Sequence, residues 1–307
     1  MRVGCVEGLH APPDEHGELE HRAAPGSGHL VRVIDRVFRL GLITEVFPDQ
    51  ADQPRLIELL RQARDQGAEL AVLPELPLNG WAPGTRTPRA EDAEPPGGPR
   101  QRRLADAARE VGIAVLGGVI LVDTDSGTRH NEAVLIDSAG VDLGRYRKIH
   151  LPQEEGDWET SHYEPGTEWP RVIDGLGLRV GLQLCSDVNR PQGVQLLASQ
   201  GAEVILAPRA TPPSTYERWR VVLRANAVMS GAYLVSVNRP RPEPGASIGG
   251  PSIAIAPSGE VIAETSDPVQ VVELRREVVE KAAREYPGYL QRFPELYATA
   301  WERLRRT

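Results

Sequence analysis

The feature that most restricts the fold of this chain is an alternation of short apolar runs with amphipathic stripes, sustained from Phe38 to Tyr286. Residues 38–43 read as a buried strand. Asp52 and Pro54 then open a helix, aspartate as the cap and proline in the first turn, where its missing N–H leaves no bond unmade. Leu56, Leu59, Leu60 and Ala63 recur at helical spacing and so share one face, and Gly67 ends the element. A strand at 70–73 follows. The cycle repeats with the stripe Leu104, Ala107, Ala108 and Val111, a stop at Gly112 and a strand over 113–122. Segments 133–136 and 141–147 flank a hairpin turn at 137–140. The second half predicts strands at 178–184, 204–207, 233–237, 252–256, 261–263 and 270–274, and helices at 194–199, 216–230 and 275–286. Such alternation predicts one layered α/β domain, and the hairpins make its sheets mixed.

Composition narrows the function classes. Lys and Arg number 35 against 43 Asp and Glu among 307 residues, a net charge of −8, and the basic residues are dispersed. Nucleic acid is therefore not an expected partner. Nor is a membrane, because no apolar run approaches the roughly 20 residues needed to cross one. The first residues lack the apolar stretch of a secretory signal. Cys5 and Cys185 are the two cysteines, too few for a disulfide framework, which suits a reducing cytoplasm. Residues 1–36, rich in Pro, Gly, His and charge, read as a flexible extension or an arm docking on a neighbouring subunit; 37–290 reads as the folded domain and 291–307 as a tail. His10, His16, His21 and His29 match no common metal-ligand spacing, so neither metal nor other cofactor is expected.

Three of the strands end on a reactive polar residue. Residues 70–73 run into Glu75, set between Pro74 and Pro77; 141–147 run into Lys148; and 178–184 run into Cys185. Strand ends in α/β domains are where a rigid scaffold meets an open crevice. A thiol needs a base to become a thiolate, a carboxylate in an apolar setting serves as one near neutrality, and an ammonium stabilises the oxyanion that forms when sulfur attacks a carbonyl. The backbone N–H of Ser186, directly after the thiol, is a natural second oxyanion donor. Each residue also has a plainer reading: Cys185 as a small buried hydrophobe, Glu75 as a loop carboxylate, Lys148 as part of a basic face with Arg145 and Arg147.

The motifs around these residues resemble the nitrilase superfamily of carbon–nitrogen hydrolases, from about Phe38 to about Tyr297. Residues 73–77 (Leu-Pro-Glu-Leu-Pro) resemble its glutamate motif, 145–151 its lysine motif and 181–187 its nucleophile motif. His130-Asn131, Glu159 ahead of Tyr163-Glu-Pro-Gly166, the segments 201–204 and 250–252, and Arg292 to Tyr297 stand in the expected order. The resemblance implies a four-layer α-β-β-α sandwich that stacks into a homodimer or higher homo-oligomer. It implies Glu75 as base, Lys148 as oxyanion partner, Cys185 as nucleophile, and Glu159 as a second glutamate positioning the substrate amine or the lysine. His150 matches a family position and is expected to brace its loop; His162 has no assigned part.

The departures bear on substrate. Ser186 stands where many relatives carry an aromatic residue, Asp187 resembles the amidase and carbamoylase branches, and Arg190-Pro191-Gln192 makes a usually apolar and acidic loop cationic. Asn189, Arg190 and Arg209 are therefore candidate substrate-binding residues, with Arg190 or Arg209 receiving a carboxylate through two parallel N–H donors. The expected substrate is a small amide, with an N-carbamoyl compound and then a nitrile as alternatives. A catalytically silent scaffold or sensor of the same fold is the reading from a different class. On sequence alone, replacing Lys148 is expected to cost far more activity than stability.

Overall fold

A computed structural model describes residues 36–285 and 287–305; the expected N-terminal arm and its histidines lie outside the described residues. The strands are β1 (Val37–Ile43), β2 (Leu70–Val72), β3 (Ala114–Val122), β4 (Arg129–Ile136), β5 (Asp142–Arg147), β6 (Gln153–Glu154), β7 (Asp157–Trp158), β8 (Val172–Ile173), β9 (Val180–Leu182), β10 (Val204–Leu206), β11 (Tyr233–Ser236), β12 (Ser252–Ile255), β13 (Val261–Thr265) and β14 (Val269–Arg275). The helices are α1 (Gln53–Asp65), α2 (Pro99–Val111), α3 (Pro191–Ser199), α4 (Tyr216–Ser230), α5 (Arg276–Arg284) and α6 (Pro294–Leu304).

Among the described residues two six-stranded sheets form, in the orders β14-β1-β2-β3-β4-β5 and β13-β12-β11-β10-β9-β8. Each has a parallel centre, β1-β2-β3 in one and β9-β10-β11 in the other, flanked by antiparallel strands. The parallel strands come from strand–helix–strand units and β3-β4-β5 and β12-β13 from hairpins, as the alternation of patterns predicts, whereas β14 returns from the far end of the chain to pair antiparallel with β1.

Side-chain alternation then builds the layers, because successive residues of a strand point to opposite faces. Leu40, Leu42, Leu70, Val72 and Leu116 from the first sheet meet Val180, Leu182, Val204, Leu206 and Val235 from the second in one buried core. The other face of the first sheet, with Ile43, Ala71, Leu73 and Val115, takes the stripes Leu56, Leu59, Leu60, Ala63 of α1 and Leu104, Ala107, Ala108, Val111 of α2. Behind the second sheet, Leu223 and Ala227 of α4 cover Leu234, Ile253 and Ile255, while Val194 and Leu197 of α3 cover Ile205. The four-layer α-β-β-α sandwich is thus the fold.

Close approach of helix to sheet depends on glycine at matched places. A Cβ on Gly117 would stand 2.7 Å from Leu104 Cδ1, and one on Gly181 would stand 2.8 Å from Leu197 Cδ1. Those distances are well inside van der Waals contact, so both glycines are what let α2 and α3 sit down on their strands. The segment read as a tail, 291–307, carries α6. Among the described residues no helix is long and apolar enough to cross a membrane.

Candidate functional site

The fold brings four polar residues from distant segments to one buried point between the sheets' strand ends. Glu75 follows β2, Lys148 follows β5, Cys185 follows β9, and Glu159 opens the one-turn helix Glu159–Ser161 after the β6–β7 hairpin. Exposure is 0% for Glu75, 1% for Lys148, 1% for Glu159 and 5% for Cys185. Lys148 Nζ donates to Glu75 Oε1 at 2.8 Å and to Glu159 Oε1 at 2.5 Å. Asn131 holds the same Glu75 oxygen through Nδ2 at 2.8 Å, and its carbonyl accepts the Lys148 N–H at 2.9 Å. Among the described residues, Glu75 Oε2 and Glu159 Oε2 have no hydrogen-bond partner. One oxygen of each carboxylate is therefore committed to the lysine and the other is free to act.

Electrostatics at this point follows from burial. Desolvation opposes the Lys148 charge, yet Glu159 and Glu75 together outweigh it and raise its pKa well above the ordinary lysine value. One ammonium does not neutralise two buried carboxylates, and Glu159 takes the consequence: burial, aided by Glu75, pushes its pKa up to about 8 against the pull of Lys148. Asp157 on β7 is pushed up to about 7 by burial and by Glu75. Burial, with Glu75 behind it, also lifts the Cys185 thiol well above its usual value, with Lys148 and the Ala210 N–H pulling the other way. Cys185 thus rests as a thiol beside a carboxylate and an ammonium. Such a set can pass a proton from sulfur to carboxylate as sulfur attacks, and needs no standing thiolate.

Backbone geometry serves the same end. Cys185 (φ 45°) and Leu76 (φ 48°) are the non-glycine residues with left-handed backbone among the described residues, one being the thiol itself and the other following Glu75. Such a conformation costs about 1–3 kcal/mol at a residue with a side chain, and persists where the surroundings enforce it. For Cys185 the enforcement includes its N–H bonded to Pro208 O at 2.9 Å. The turn Cys185–Asn189 then carries Asp187, which is buried and ties down the lysine segment on both sides of Lys148. Asp187 accepts from Tyr146 Oη at 2.8 Å, from the His150 N–H at 2.8 Å and from the Ile149 N–H at 3.3 Å. The His150 ring pairs its Nδ1 with the same carboxylate at 2.7 Å, so it braces the loop.

Not every expected site residue joins the cluster. Ser186 is half-buried and its hydroxyl donates to His150 O. Asn189 and Arg190 lie exposed at the end of the turn, where Arg190 Nη1 reaches Asn189 O at 3.3 Å. Arg209 corrects an expectation. It is 0% exposed, and its guanidinium is spent inside the protein: Nε on Thr211 Oγ1 at 3.1 Å, Nη1 on Ser236 O at 3.0 Å and Ser236 Oγ at 2.8 Å, and Nη2 on Pro251 O. It presents no open pair of donors to a substrate carboxylate. The physical reason is that a buried guanidinium must satisfy its N–H groups locally, and the strand ends around it supply the acceptors.

Sequence reasoning placed Asn131 and Asp187 only as members of motifs. Their positioning roles have no local signal, because each acts through a partner tens of residues away. Asp157 carries no motif at all. Among the described residues no group of three or more His, Cys, Asp or Glu is arranged to hold a metal ion.

Comparison with known proteins gives the family. The Carbon-nitrogen hydrolase family model matches residues 48–302. A nitrilase of Pyrococcus abyssi is 34% identical over 221 residues, covering 71% of this chain and 80% of that protein. An (R)-stereoselective amidase of a Pseudomonas species is 33% identical over 222 residues, covering 71% and 77%. In fold, a carbon–nitrogen hydrolase from Helicobacter pylori superposes with a TM-score of 0.79 at 21% identity, covering 87% of this chain and 99% of that one. With the sandwich, the buried cysteine and the match over most of its length, this chain belongs to the carbon–nitrogen hydrolase family.

Proposed function

We propose that this protein hydrolyses the carbon–nitrogen bond of a small amide through a thioester on Cys185. The observation that carries the reading is the buried Lys148 ammonium hydrogen-bonded to both Glu75 and Glu159 in the cluster that holds the buried Cys185 thiol. Glu75 takes the thiol proton as sulfur attacks the amide carbonyl, and Lys148 with the Ser186 N–H receives the oxyanion. Collapse of the tetrahedral species breaks the C–N bond. Ammonia or an amine leaves with the proton that Glu75 returns, and the acyl group stays on sulfur. Water then attacks the thioester as Glu75 takes its proton, and the acid leaves while the thiol is restored. Glu159 holds Lys148 in place and offers its second oxygen to the substrate nitrogen. The chemistry needs no metal or organic cofactor.

Asp187 favours an amide or an N-carbamoyl compound over a nitrile, and we place the amide first. A panel of amides, ureido acids and nitriles assayed for ammonia separates them: carbon dioxide released together with ammonia marks the carbamoyl case. The direct test is mass spectrometry of protein quenched during turnover. An acyl adduct on Cys185 supports the reading and its mass names the acid half of the substrate. Steady turnover with the adduct on another residue, or turnover by Cys185→Ala, ends it. A silent scaffold would show neither turnover nor rapid alkylation of Cys185.

Arg190 remains our candidate for an anionic group on the substrate, being exposed just past the nucleophile turn. Arg190→Ala is expected to lower kcat/KM about tenfold on an acidic amide and less than twofold on a neutral one, as loss of one charge-assisted contact would. Equal losses on both would remove Arg190 from recognition. A homodimer suits the exposed apolar residues Val221 and Met229 on α4 and Leu296 and Trp301 on α6, since such patches mark interaction surfaces. A reducing cytoplasm suits a chemistry that depends on a free thiol. We retain 1–36 as an extension and 37–290 as the hydrolase domain.

A further inference from the structure

Arg239 lies just past β11, is 0% exposed, and takes no part in the chemistry proposed above. Its guanidinium crosses to the segment that carries Glu75. Nη1 donates to the carbonyls of Glu75 and Leu76, both at 2.8 Å, and Nη2 donates to that of Asn79 at 2.9 Å. Nε donates to Glu243 Oε1 at 2.7 Å, and the other oxygen of Glu243 accepts the Trp81 N–H at 2.8 Å. The guanidinium carbon stands 5.5 Å from the centre of the Trp81 ring. Glu243 is itself held, its N–H and C=O both bonded across a tight turn to Ala246. That turn packs backbone to backbone on the loop after Trp81: a Cβ on Gly84 would stand 2.3 Å from Pro244 O.

This arrangement grips both peptides flanking Leu76, the residue with left-handed backbone directly after Glu75. A segment of that conformation relaxes unless its neighbours over-determine it. We propose that Arg239 is a positioning residue for hydrolysis: held by Glu243, it fixes the main chain of residues 75–79 directly so that the Glu75 carboxylate meets Lys148 and the Cys185 thiol. The inference rests on Glu75 being the base. Lysine is no substitute, since a point charge on a flexible stem does not reproduce a planar fork serving three carbonyls and a carboxylate.

The test uses the full chain carrying Arg239→Lys or Glu243→Gln. It reads kcat and KM on an amide, the rate of Cys185 alkylation by iodoacetamide, and thermal unfolding. A base displaced by about 1 Å loses about 10²-fold. Folded R239K is therefore expected to lose kcat by that order, to alkylate more slowly by a similar factor, and to change KM less than about threefold. Folded R239K with kcat and alkylation within about threefold of the parent, or with its loss confined to KM, overturns the proposal. If R239K does not fold, E243Q decides: it keeps the shape of the glutamate and weakens its hold on the guanidinium. A fall of about tenfold in both rates supports the positioning role, and parental rates overturn it. Glu75→Gln keeps the two ideas apart. Full activity in E75Q removes the base itself, whereas an inactive E75Q beside a normal R239K removes only the role of Arg239.

Discussion

Lys148→Met is expected to lose about 10²–10³-fold in kcat, the cost typical of removing one donor from a developing oxyanion, and to lose stability as well. The second loss revises the expectation from sequence. A solvated lysine could be replaced at small cost, but Lys148 is buried between two carboxylates. Removing one member of a buried ion pair costs about 3–5 kcal/mol, because the remaining charge is left without compensation. Glu159 escapes part of that cost by taking up a proton, so the penalty depends on pH.

The sign follows from Glu159, whose pKa in the folded protein is about 8 even beside Lys148, against an unfolded value of about 4.3. A carboxyl raised on folding contributes stability that is fully present below the unfolded pKa and is lost as pH rises through the folded one. Without Lys148 the folded value rises further, and the loss continues to higher pH. Urea unfolding of K148M and its parent should show a gap that is steady from pH 5 to pH 7 and widens as pH rises past 8. A gap independent of pH would mean that Lys148 is not the counterion of this carboxyl.

Glu75→Gln is expected to leave the fold intact and to reduce kcat by about 10²–10⁴-fold, the range for loss of a general base. An amide oxygen at this position still accepts from Asn131 and Lys148, so the contacts that hold the loop survive. What vanishes is the acceptor for the thiol proton. Since burial lifts the Cys185 pKa well above its ordinary value, sulfur does not ionise unaided at neutral pH. Alkylation by iodoacetamide at pH 7 should therefore slow by a comparable factor in E75Q and recover only in strongly alkaline solution. A parental alkylation rate at pH 7 would show that another group activates the thiol.

Legibility varied along the chain for physical reasons. The stripes of α1 and the second half of α2 are plain in the sequence because their apolar residues pack on a sheet at helical spacing. The first turn of α2 is not, since Gln101 and Arg103 are buried as polar groups, on Glu94 and on Gln53 and the Phe47 carbonyl. The same holds for the start of β4, where Asn131 and Glu132 interrupt the apolar pattern because they serve Glu75 and the arginines of β5. The helix α6 also escaped, although Leu296, Tyr297 and Trp301 fall at helical spacing, because its apolar residues stand exposed and no sheet beneath it explains them.

By itself the sequence determined a layered α/β domain and the three strand ends that bear a carboxylate, an ammonium and a thiol, because periodicity and turn chemistry are local. Only the tertiary structure decided which charges face one another. Lys148 bonds a glutamate 73 residues before it and another 11 residues after it, a pairing in a dry interior that no local pattern announces. It also decided between two arginines that look alike on paper, leaving Arg190 in solvent and enclosing Arg209 among acceptors. Desolvation and through-space pairing are properties of neighbours, and a chain acquires its neighbours by folding.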